Sequence, residues 1–348
     1  MTTDSMNFLG AVEGLPEQLA AAHEATGEVH ADAFPNRARI RNIVVMGMGG
    51  SGISGDVVAA ACNDELPVPV TVLKQIRTPA FVGPETLAFA VSYSGDTEET
   101  LSMATSALEK GAQLVAISCG GRLADIARDG GALHLACPDG FLPRAAIGAL
   151  VAPLLVTLYR TGLAPSAHAQ LVRAQMQLAT RRDACRPAVE GAANPARELA
   201  RRIDRTVPLI YGGGALGGVA AYRWKCDVNE NAKAPAFWHQ YPELDHNEIC
   251  AWGQHGDVTR QLVTLVELRH GFEHERLSPR FDVTREIIDE CVHQVLSVEA
   301  QGEGRLAQLL DLMYVGDWVS CYLALQNDVD PGPIDAIFEL KARLAKLP

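Results

Sequence analysis

The fold is decided by the stretch 42–62, which reads NIVVMGMGGSGISGDVVAAAC. A short apolar run that ends in glycines is typical of a buried strand entering a turn, and the residues from 53 onward have a helical pattern. The backbone amides of such a turn, together with the start of the helix, form a concave site for an anion at low steric cost. We therefore expect the glycine loop 47–52 to hold a phosphate group.

Two other interpretations of this loop require residues that the chain lacks. The glycines also satisfy G-x-G-x-x-G, but a dinucleotide site needs an acidic residue about 20 positions further on to bind the ribose. Lys74 and Gln75 stand there instead. A Walker A loop is excluded because no Gly-Lys-Ser/Thr closes the motif. A tight turn without a ligand remains an alternative for this loop taken alone.

A second loop, SYSGDT at 92–97, also follows a predicted strand and precedes a predicted helix. It brings three hydroxyl groups and several free amides to the carboxyl end of a strand, where open α/β sheets bind ligands. Hydroxyls without cationic side chains suit a phosphomonoester that binds and leaves reversibly. Each serine or threonine could be a plain helix cap. Two such loops at adjacent strand ends favour a phosphate site.

The strand, glycine and helix theme continues along the chain. The pattern predicts strands at 42–46, 68–73, 87–92, 113–118 and 132–136, with helices at 53–62, 98–110 and 123–130 between them. After a helical stretch from 145 to 202, the theme restarts at 206–211 and glycines 212–214, followed by a strand at 262–268 and helices at 282–295, 305–325 and 334–347. We predict an α/β protein with two doubly wound domains, 1–165 and 166–348, each with a mostly parallel sheet flanked by helices.

Composition narrows the function classes. The 348 residues carry 30 basic and 42 acidic side chains, a formal net charge of −12, which repels nucleic acids and anionic lipid. The eight cysteines show neither C-x-x-C pairs nor zinc-ligand spacing, so we expect reduced thiols and no metal. Neither a leader segment nor a run of about 18 apolar residues is visible. We expect a cytoplasmic protein without a membrane, nucleic-acid or cofactor partner.

The segments GMGGSGISGD at 47–56 and SYSGDTEET at 92–100 resemble the sugar isomerase (SIS) domain, and more narrowly the bifunctional phosphoglucose/phosphomannose isomerase family. The resemblance spans nearly the whole chain, since it continues at 143–144, 229–231, 245–248, Trp252 and 334–341. The motifs occur in the family's order and spacing. This resemblance implies an isomerase that interconverts glucose 6-phosphate with fructose 6-phosphate, and it leaves open whether mannose 6-phosphate is also a substrate.

The same resemblance implies roles for individual residues. Residues implied to hold the sugar phosphate are Gly50, Ser51, Ser92, Ser94 and Thr97. Residues implied to be catalytic are Arg144 over the reacting carbons, Glu230 as the base, His246 as the ring-opening group and Lys341 as a further contact. The family's members pair as dimers, so the resemblance also implies that His246 is donated by the partner subunit.

The chemistry of aldose–ketose interconversion needs groups of these types. The ring must open, and a proton must move between C1 and C2 through a cis-enediolate, so each step needs a positioned acid or base. A carboxylate such as Glu230 can take the proton from one carbon and return it to the next, while the fixed cation of Arg144 stabilises the enediolate. His246 lies in a polar loop where an acidic neighbour could fix its tautomer. Ordinary surface positions are the alternative for all three.

Lys341 lies on a helical stripe that starts at Ile334. Ile337, Lys341 and Leu344 follow Ile334 by three, seven and ten residues. We expect this lysine to point inward, either into the site or with its stem covering the core. The second glycine loop, 212–217, lacks a hydroxyl-rich partner loop, so we expect one phosphate site per chain.

Three rival functions remain open. A SIS protein could bind a sugar phosphate as a sensor, since fold and phosphate site do not prove turnover; such a module would not need Glu230. An isomerase of amino sugars is a second rival, although no glutaminase segment or N-terminal catalytic cysteine is visible. A dehydrogenase is disfavoured by Lys74.

Overall fold

A computed structural model describes residues 3–344 and 346. By packing, these residues form two compact units. One contains residues 14–179 and 302–309, and we call it the first unit; the other contains residues 3–13, 180–301, 310–344 and 346, and we call it the second unit. The domain limits 1–165 and 166–348 stay a prediction.

The chain starts with two helices and then alternates strands with helices. In order, these elements are α1 (Phe8–Glu13), α2 (Leu15–Gly27), β1 (Asn42–Met46), α3 (Gly49–Cys62), β2 (Val70–Leu73), β3 (Thr86–Val91), α4 (Glu98–Glu109), β4 (Gln113–Ser118), α5 (Gly121–Asp129) and β5 (Leu133–Ala136).

Three helices separate this series from a second one. The remaining elements are α6 (Ile147–Arg160), α7 (Ala167–Cys185), α8 (Pro195–Ile203), β6 (Val207–Gly213), α9 (Gly214–Asn231), β7 (Phe237–Tyr241), α10 (Gly256–Leu262), β8 (Val263–Arg269), α11 (Ser278–Ile288), β9 (Gln294–Glu299), α12 (Arg305–Gln326) and α13 (Asp335–Leu344). Short 3₁₀ turns lie at 31–33, 37–39, 143–145, 191–193, 243–246, 248–252 and 289–291.

Both sheets are parallel and have related strand orders. The first unit has the order β2-β1-β3-β4-β5, and the second has β7-β6-β8-β9. In each sheet the strand order reverses beside the first strand of the series, β1 or β6. Ligands of open α/β sheets bind at the carboxyl ends of the strands at this reversal. Both predicted glycine loops lie there, and the predicted fold class is confirmed.

Burial explains why the strands are continuous apolar runs. All six residues of β3 are buried, because parallel sheets are covered on both faces. Beneath this sheet Met46, Ala90 and Met103 belong to one core cluster with residues of α5. The second sheet packs aromatic side chains instead, with Tyr211, Tyr241 and Phe281 in its cluster.

One predicted helix is wrong in part. The pattern at 282–295 predicts a single helix, but α11 ends at Ile288 and the strand β9 begins at Gln294. Val295 pairs with Leu265 of β8, so the end of the predicted helix is the edge of the sheet. The short helix α10, just before β8, was not predicted either.

Candidate functional site

The first glycine loop needs glycine at specific positions. Gly49 opens α3 with a φ of +54°, in the left-handed region that glycine adopts without strain. A Cβ atom on Gly52 would lie 2.6 Å from the carbonyl oxygen of Gly47, and one on Gly47 would lie 2.9 Å from that of Val91. The loop is therefore held tightly against the end of β3, with the amides at the start of α3 left available for an anion.

Hydrogen bonds join the predicted phosphate-binding residues. Ser92 donates to Thr97 Oγ1 at 2.9 Å, and the amide of Tyr93 donates to Ser51 Oγ at 3.3 Å. Ser94, which is exposed, accepts from the amide of Asp96 at 3.3 Å. The structure thus brings Ser51, Ser92 and Thr97 together at the reversal of the strand order.

A third loop, after β4, supports the second one and was missed in the sequence. Gly95 and Gly121 approach so closely that a Cβ on Gly95 would lie 1.9 Å from the carbonyl oxygen of Gly120. The amide of Arg122 donates to Asp96 Oδ1 at 3.1 Å. The glycine pair 120–121 after a predicted strand was a signal that could have found this loop.

Arg144 is buried in the first unit, with only 4% of its surface exposed. It lies in the short turn 143–145, which packs against α3. Tyr93 fixes the segment before this turn, since its hydroxyl donates to the carbonyl of Pro138 and accepts from the amide of Phe141, both at 2.9 Å. Burial of its ring raises the pKa of Tyr93, so the hydroxyl keeps its proton in this bridge.

Lys74 follows β2, where a dinucleotide site would carry an acidic residue. Its ammonium group forms an ion pair with Asp56 of α3. Burial raises the pKa of Asp56, and the bond from Lys74 opposes that shift. A cation at the end of β2 provides no acceptor for ribose hydroxyls, which weighs against the dehydrogenase interpretation.

In the second unit, Glu230 lies near the end of α9 and is half-buried. It lines a cavity of about 510 Å³ together with residues 229, 233, 329, 330 and 333–337. Lys233 closes one side, where its ammonium group donates to the carbonyl of Asp330 at 2.6 Å. A carboxylate on the wall of a cavity of this size has room for a small substrate beside it.

The face of α9 that carries Glu230 also carries a buried charge network. Arg223 pairs with Asp227 one turn along α9, and with Asp317 of α12, at 2.8 Å in each case. Glu230 follows Asp227 by three residues, on the same face of the helix. Burial raises the pKa of Asp227 well above its ordinary value, and Arg223 opposes that shift. The spacing of 223, 227 and 230 was visible in the sequence but was not used.

His246 ends the 3₁₀ turn 243–246 and is exposed. Its neighbour Asp245 is engaged with α11, where it accepts from Arg280 at 2.8 Å and from Thr284 at 3.0 Å. Among the described residues no hydrogen bond joins Asp245 to His246, so Asp245 does not fix the tautomer of His246 within the single chain.

Glu248, a further acidic residue near His246, belongs to a cluster that the sequence did not reveal. It accepts a hydrogen bond from the hydroxyl of Tyr211 in β6, and its second oxygen lies 2.8 Å from Nδ1 of His239 in β7. Burial, and next the bond to Glu248, raise the pKa of Tyr211. Three polar side chains thus converge against β6 and β7, where Tyr211 and His239 are in register.

Lys341 does not point inward, so this prediction is wrong for the single chain. Every residue of α13 from Asp335 to Leu344 is exposed, Lys341 included. The helical stripe exists, but no core lies beneath it: Phe338 is 59% exposed and Leu344 is 54% exposed. Amphipathic spacing identifies a face, and only the packing partner decides whether that face is buried.

The described residues meet neither the requirements of a metal-ligand cluster nor those of a membrane-crossing helix. In residues 3–344 and 346, no group of three or more histidine, cysteine, aspartate or glutamate side chains is placed to hold a metal ion. The helices of that same part are too short or too polar to span a bilayer.

Solved structures share this fold. A hypothetical protein from Thermus thermophilus aligns with a TM-score of 0.71 at 16% identity, over 98% of this chain and 90% of its own. The C-terminal domain of glucosamine-fructose-6-phosphate aminotransferase from Francisella tularensis aligns with a TM-score of 0.71 at 17% identity, over 93% of this chain and 97% of its own. At this identity the similarity establishes the fold alone.

Family models define the class. The SIS domain model matches residues 38–136, and the model of the bacterial phospho-glucose isomerase C-terminal SIS domain matches residues 192–344, so this is a protein with two SIS domains. A bifunctional phosphoglucose/phosphomannose isomerase from Caldicellulosiruptor bescii is 35% identical over 97% of this chain and 98% of its own. The enzyme of the same name from Thermoplasma acidophilum is 34% identical over 91% of this chain and 94% of its own. The chain belongs to the bifunctional phosphoglucose/phosphomannose isomerase family and is an isomerase.

A relative with another activity covers less of the chain. The D-glucosamine-6-phosphate 4-epimerase of Sulfolobus acidocaldarius is 32% identical over 66% of this chain and 72% of its own. A substrate test of this enzyme therefore has to include an amino-sugar phosphate.

Proposed function

We propose that this enzyme interconverts glucose 6-phosphate and mannose 6-phosphate with fructose 6-phosphate through a cis-enediolate, with Glu230 as the base. Family membership supports the class of reaction, a sugar-phosphate isomerisation. The observation that carries the role of Glu230 is its position as a half-buried carboxylate on the wall of a 510 Å³ cavity. That position gives the carboxylate access to a small molecule and partial shielding from water.

The phosphate group is bound by the first unit in this proposal. Gly50 offers its amide at the start of α3, and Ser51, Ser92, Ser94 and Thr97 offer hydroxyls. The bonds from Ser92 to Thr97 and from Tyr93 to Ser51 support this assignment, because they order the hydroxyls before the ligand arrives. Pre-ordered groups lose less entropy on binding.

The reaction is a proton transfer between adjacent carbons. After ring opening, with His246 moving a proton to the ring oxygen, Glu230 removes the proton from C2 of the aldose. The electron pair of the C2–H bond forms the C1–C2 double bond, and the electrons of the C1 carbonyl move to its oxygen, which gives the enediolate. The proton of the C2 hydroxyl then moves to the oxygen on C1, and return of the proton from Glu230 to C1 leaves the carbonyl at C2 of the ketose. Arg144 stabilises the enediolate charge, and Lys341 is a further contact with the substrate.

We also propose that the enzyme is a cytoplasmic homodimer in which His246 completes the active site of the partner subunit. The exposed position of His246 supports this part of the proposal, because an exposed side chain is free to enter a neighbouring site. The exposed apolar residues of α13 also support an oligomer.

The test is turnover of fructose 6-phosphate in EDTA, followed in D₂O by nuclear magnetic resonance, with mannose 6-phosphate and glucosamine 6-phosphate as parallel substrates. We expect deuterium at C2 of the glucose 6-phosphate formed, and a loss of about 10²- to 10⁴-fold in kcat for Glu230→Gln. Glu286→Gln, an exposed residue of α11, is the matched control.

Three results would contradict the proposal. Saturable binding without turnover would favour the sensor, and reaction at C4 of glucosamine 6-phosphate alone would favour the epimerase. A kcat of Glu230→Gln equal to that of the wild type would exclude Glu230 as the base.

A further inference from the structure

The two glycine loops, 47–52 and 212–217, share a backbone conformation although their sequences differ. Gly214 opens α9 with a φ of +57°, as Gly49 opens α3 with a φ of +54°. Each of these glycines follows the strand beside which the strand order reverses, β6 or β1. The loop of the second unit is therefore built on the same plan as the loop of the first unit.

Close contacts within each loop fix the correspondence residue by residue. A Cβ on Gly52 would lie 2.6 Å from the carbonyl oxygen of Gly47, and one on Gly212 would lie 2.0 Å from that of Gly217. Both pairs are five residues apart. Gly47 thus corresponds to Gly212, and Gly52 to Gly217.

The strand beside each loop gives a second correspondence. Gly212 is in register with Leu268 of β8, and Met46 is in register with Ala90 of β3, which places Gly47 beside Val91. Val91 therefore corresponds to Leu268. Counting onward, the segment 92–97 of the first unit, SYSGDT, corresponds to the segment 269–274 of the second, RHGFEH.

The corresponding segment has lost its hydroxyls, and the carboxylate at its fifth position has a different partner. Asp96 accepts from the amide of Arg122 in the loop after β4, whereas Glu273 lies at the glycine loop. Glu273 Oε1 is 2.8 Å from the position that a Cβ of Gly213 would occupy. The carboxylate accepts from Arg269 Nη2 at 2.8 Å and from the amide of His270 at 3.0 Å, and its side chain is only 7% exposed. Any residue larger than glycine at 213 would displace it.

The amide of His270 is informative, because its counterpart in the first unit is the amide of Tyr93. That amide donates to Ser51 Oγ, one of the proposed phosphate-binding hydroxyls. The same backbone amide thus donates to a proposed phosphate-binding hydroxyl, that of Ser51, in one unit and to the carboxylate of Glu273 in the other.

We propose that Glu273 is an internal ligand that fills the anion position of the second glycine loop, so that the second unit takes up no phosphate. Its charge is balanced by Arg269, which also lies 4.0 Å above the ring of Phe281. The chain thereby keeps one phosphate site and retains the packing of the duplicated loop. The inference that this is an anion position rests on the proposed phosphate-binding role of the first loop.

The experiment counts anion sites with inorganic phosphate, by equilibrium dialysis of the full-length protein and of the variants Glu273→Ala and Glu273→Gln. The matched control is Glu275→Ala, since Glu275 is an exposed neighbour. We expect Glu273→Ala to bind about one more phosphate per chain than the wild type. The wild type, Glu273→Gln and the control should show no added site, because the amide of glutamine still fills the position.

The difference between variant and wild type separates this inference from the proposed function. If the first loop binds no phosphate, both counts fall by one and the difference remains. Thermal unfolding supplies a second readout: formate or phosphate should restore the Tm of Glu273→Ala, while sodium chloride at equal ionic strength should not. A folded Glu273→Ala that binds no added anion would overturn the inference, as would a variant that fails to fold even in formate or phosphate.

Discussion

The hydroxyl of Ser92 donates a hydrogen bond to the hydroxyl oxygen of Thr97 at 2.9 Å. This bond spans the turn between β3 and α4 and holds two hydroxyls of the proposed phosphate site in one arrangement. Ser92 is 1% exposed, so its orientation is set by the protein and not by solvent.

The first prediction concerns the affinity for the phosphate group. Thr97→Ala should raise the KM for fructose 6-phosphate by about 10- to 100-fold, because it removes a hydrogen bond to a charged group, worth about 1.5–3 kcal/mol. Ser92→Ala should raise the KM as well, because Ser92 donates its one hydroxyl proton to Thr97 and so orients the Thr97 hydroxyl. The kcat should change little, since the phosphate is bound equally in the ground and transition states. Steady-state kinetics checks both constants. Ser102→Ala, at an exposed position of α4, is the control, and an unchanged KM in the first two variants would contradict the assignment.

Much of the first unit could be predicted because its signals are local. Strands buried on both faces are continuous apolar runs, and the glycines and hydroxyls that follow β1 and β3 are adjacent in sequence. The second unit was harder to predict. Apolar residues at 283, 287 and 288, followed by 292 and 295, mimic a helical period, yet Val283 and Ile287 are exposed and Val295 belongs to a strand. The segment forms a strand because it pairs with β8, which lies about 30 residues earlier in the chain.

Prediction of the candidate site was limited in the same way, because contacts between residues far apart in sequence leave no local pattern. Arg223 and Asp227 share one helix, but Asp317 reaches them from α12, across about 90 residues of chain. For Lys341, the stripe was correctly identified and its burial was not, since burial depends on a packing partner that periodicity does not name.

The second prediction tests whether His246 is shared between subunits. Glu230→Gln and His246→Ala should each be inactive alone. If each active site takes Glu230 from one subunit and His246 from the other, a mixed dimer of the two variants contains one intact site. Unfolding and refolding an equal mixture should then restore about a quarter of the wild-type activity by statistical pairing. Refolding each variant alone is the control, and no recovery in a mixture with confirmed exchange would place both residues in the same subunit's site.

The third prediction concerns the buried network beside Glu230. Asp317→Ala leaves Arg223 buried with one carboxylate fewer, so the free energy of unfolding should fall by about 3–5 kcal/mol. Urea denaturation measures this change. Glu339→Ala removes the partner of Arg343 in an exposed pair of α13 and should change stability by less than about 1 kcal/mol. Equal effects of the two substitutions would show that the network contributes no more than a surface pair.

The fourth prediction separates the function of Lys341 from its structural role. Because Lys341 is exposed, Lys341→Met should leave the thermal unfolding temperature unchanged. Its proposed contact with substrate should nevertheless lower kcat/KM by about tenfold. Arg343→Met, on the same exposed helix, is the control for loss of charge alone. A loss of activity of equal size in both variants would contradict a specific contact.

The fifth prediction concerns alkaline stability. Burial raises the pKa of Cys185 from about 9 to about 11, so the unfolded chain loses this proton at lower pH than the folded protein does. The stability linked to this thiol is therefore fully present below about pH 9 and falls as the pH rises toward 11, by at most about 1.4 kcal/mol per pH unit. Urea unfolding between pH 8 and 10.5 should show a shallower decline for Cys185→Ala than for the wild type, whatever the cost of the cavity at neutral pH. Cys250 is exposed, so Cys250→Ala is the control and should follow the wild-type slope. Identical slopes for all three proteins would mean that the thiol of Cys185 ionises alike in the folded and unfolded chain.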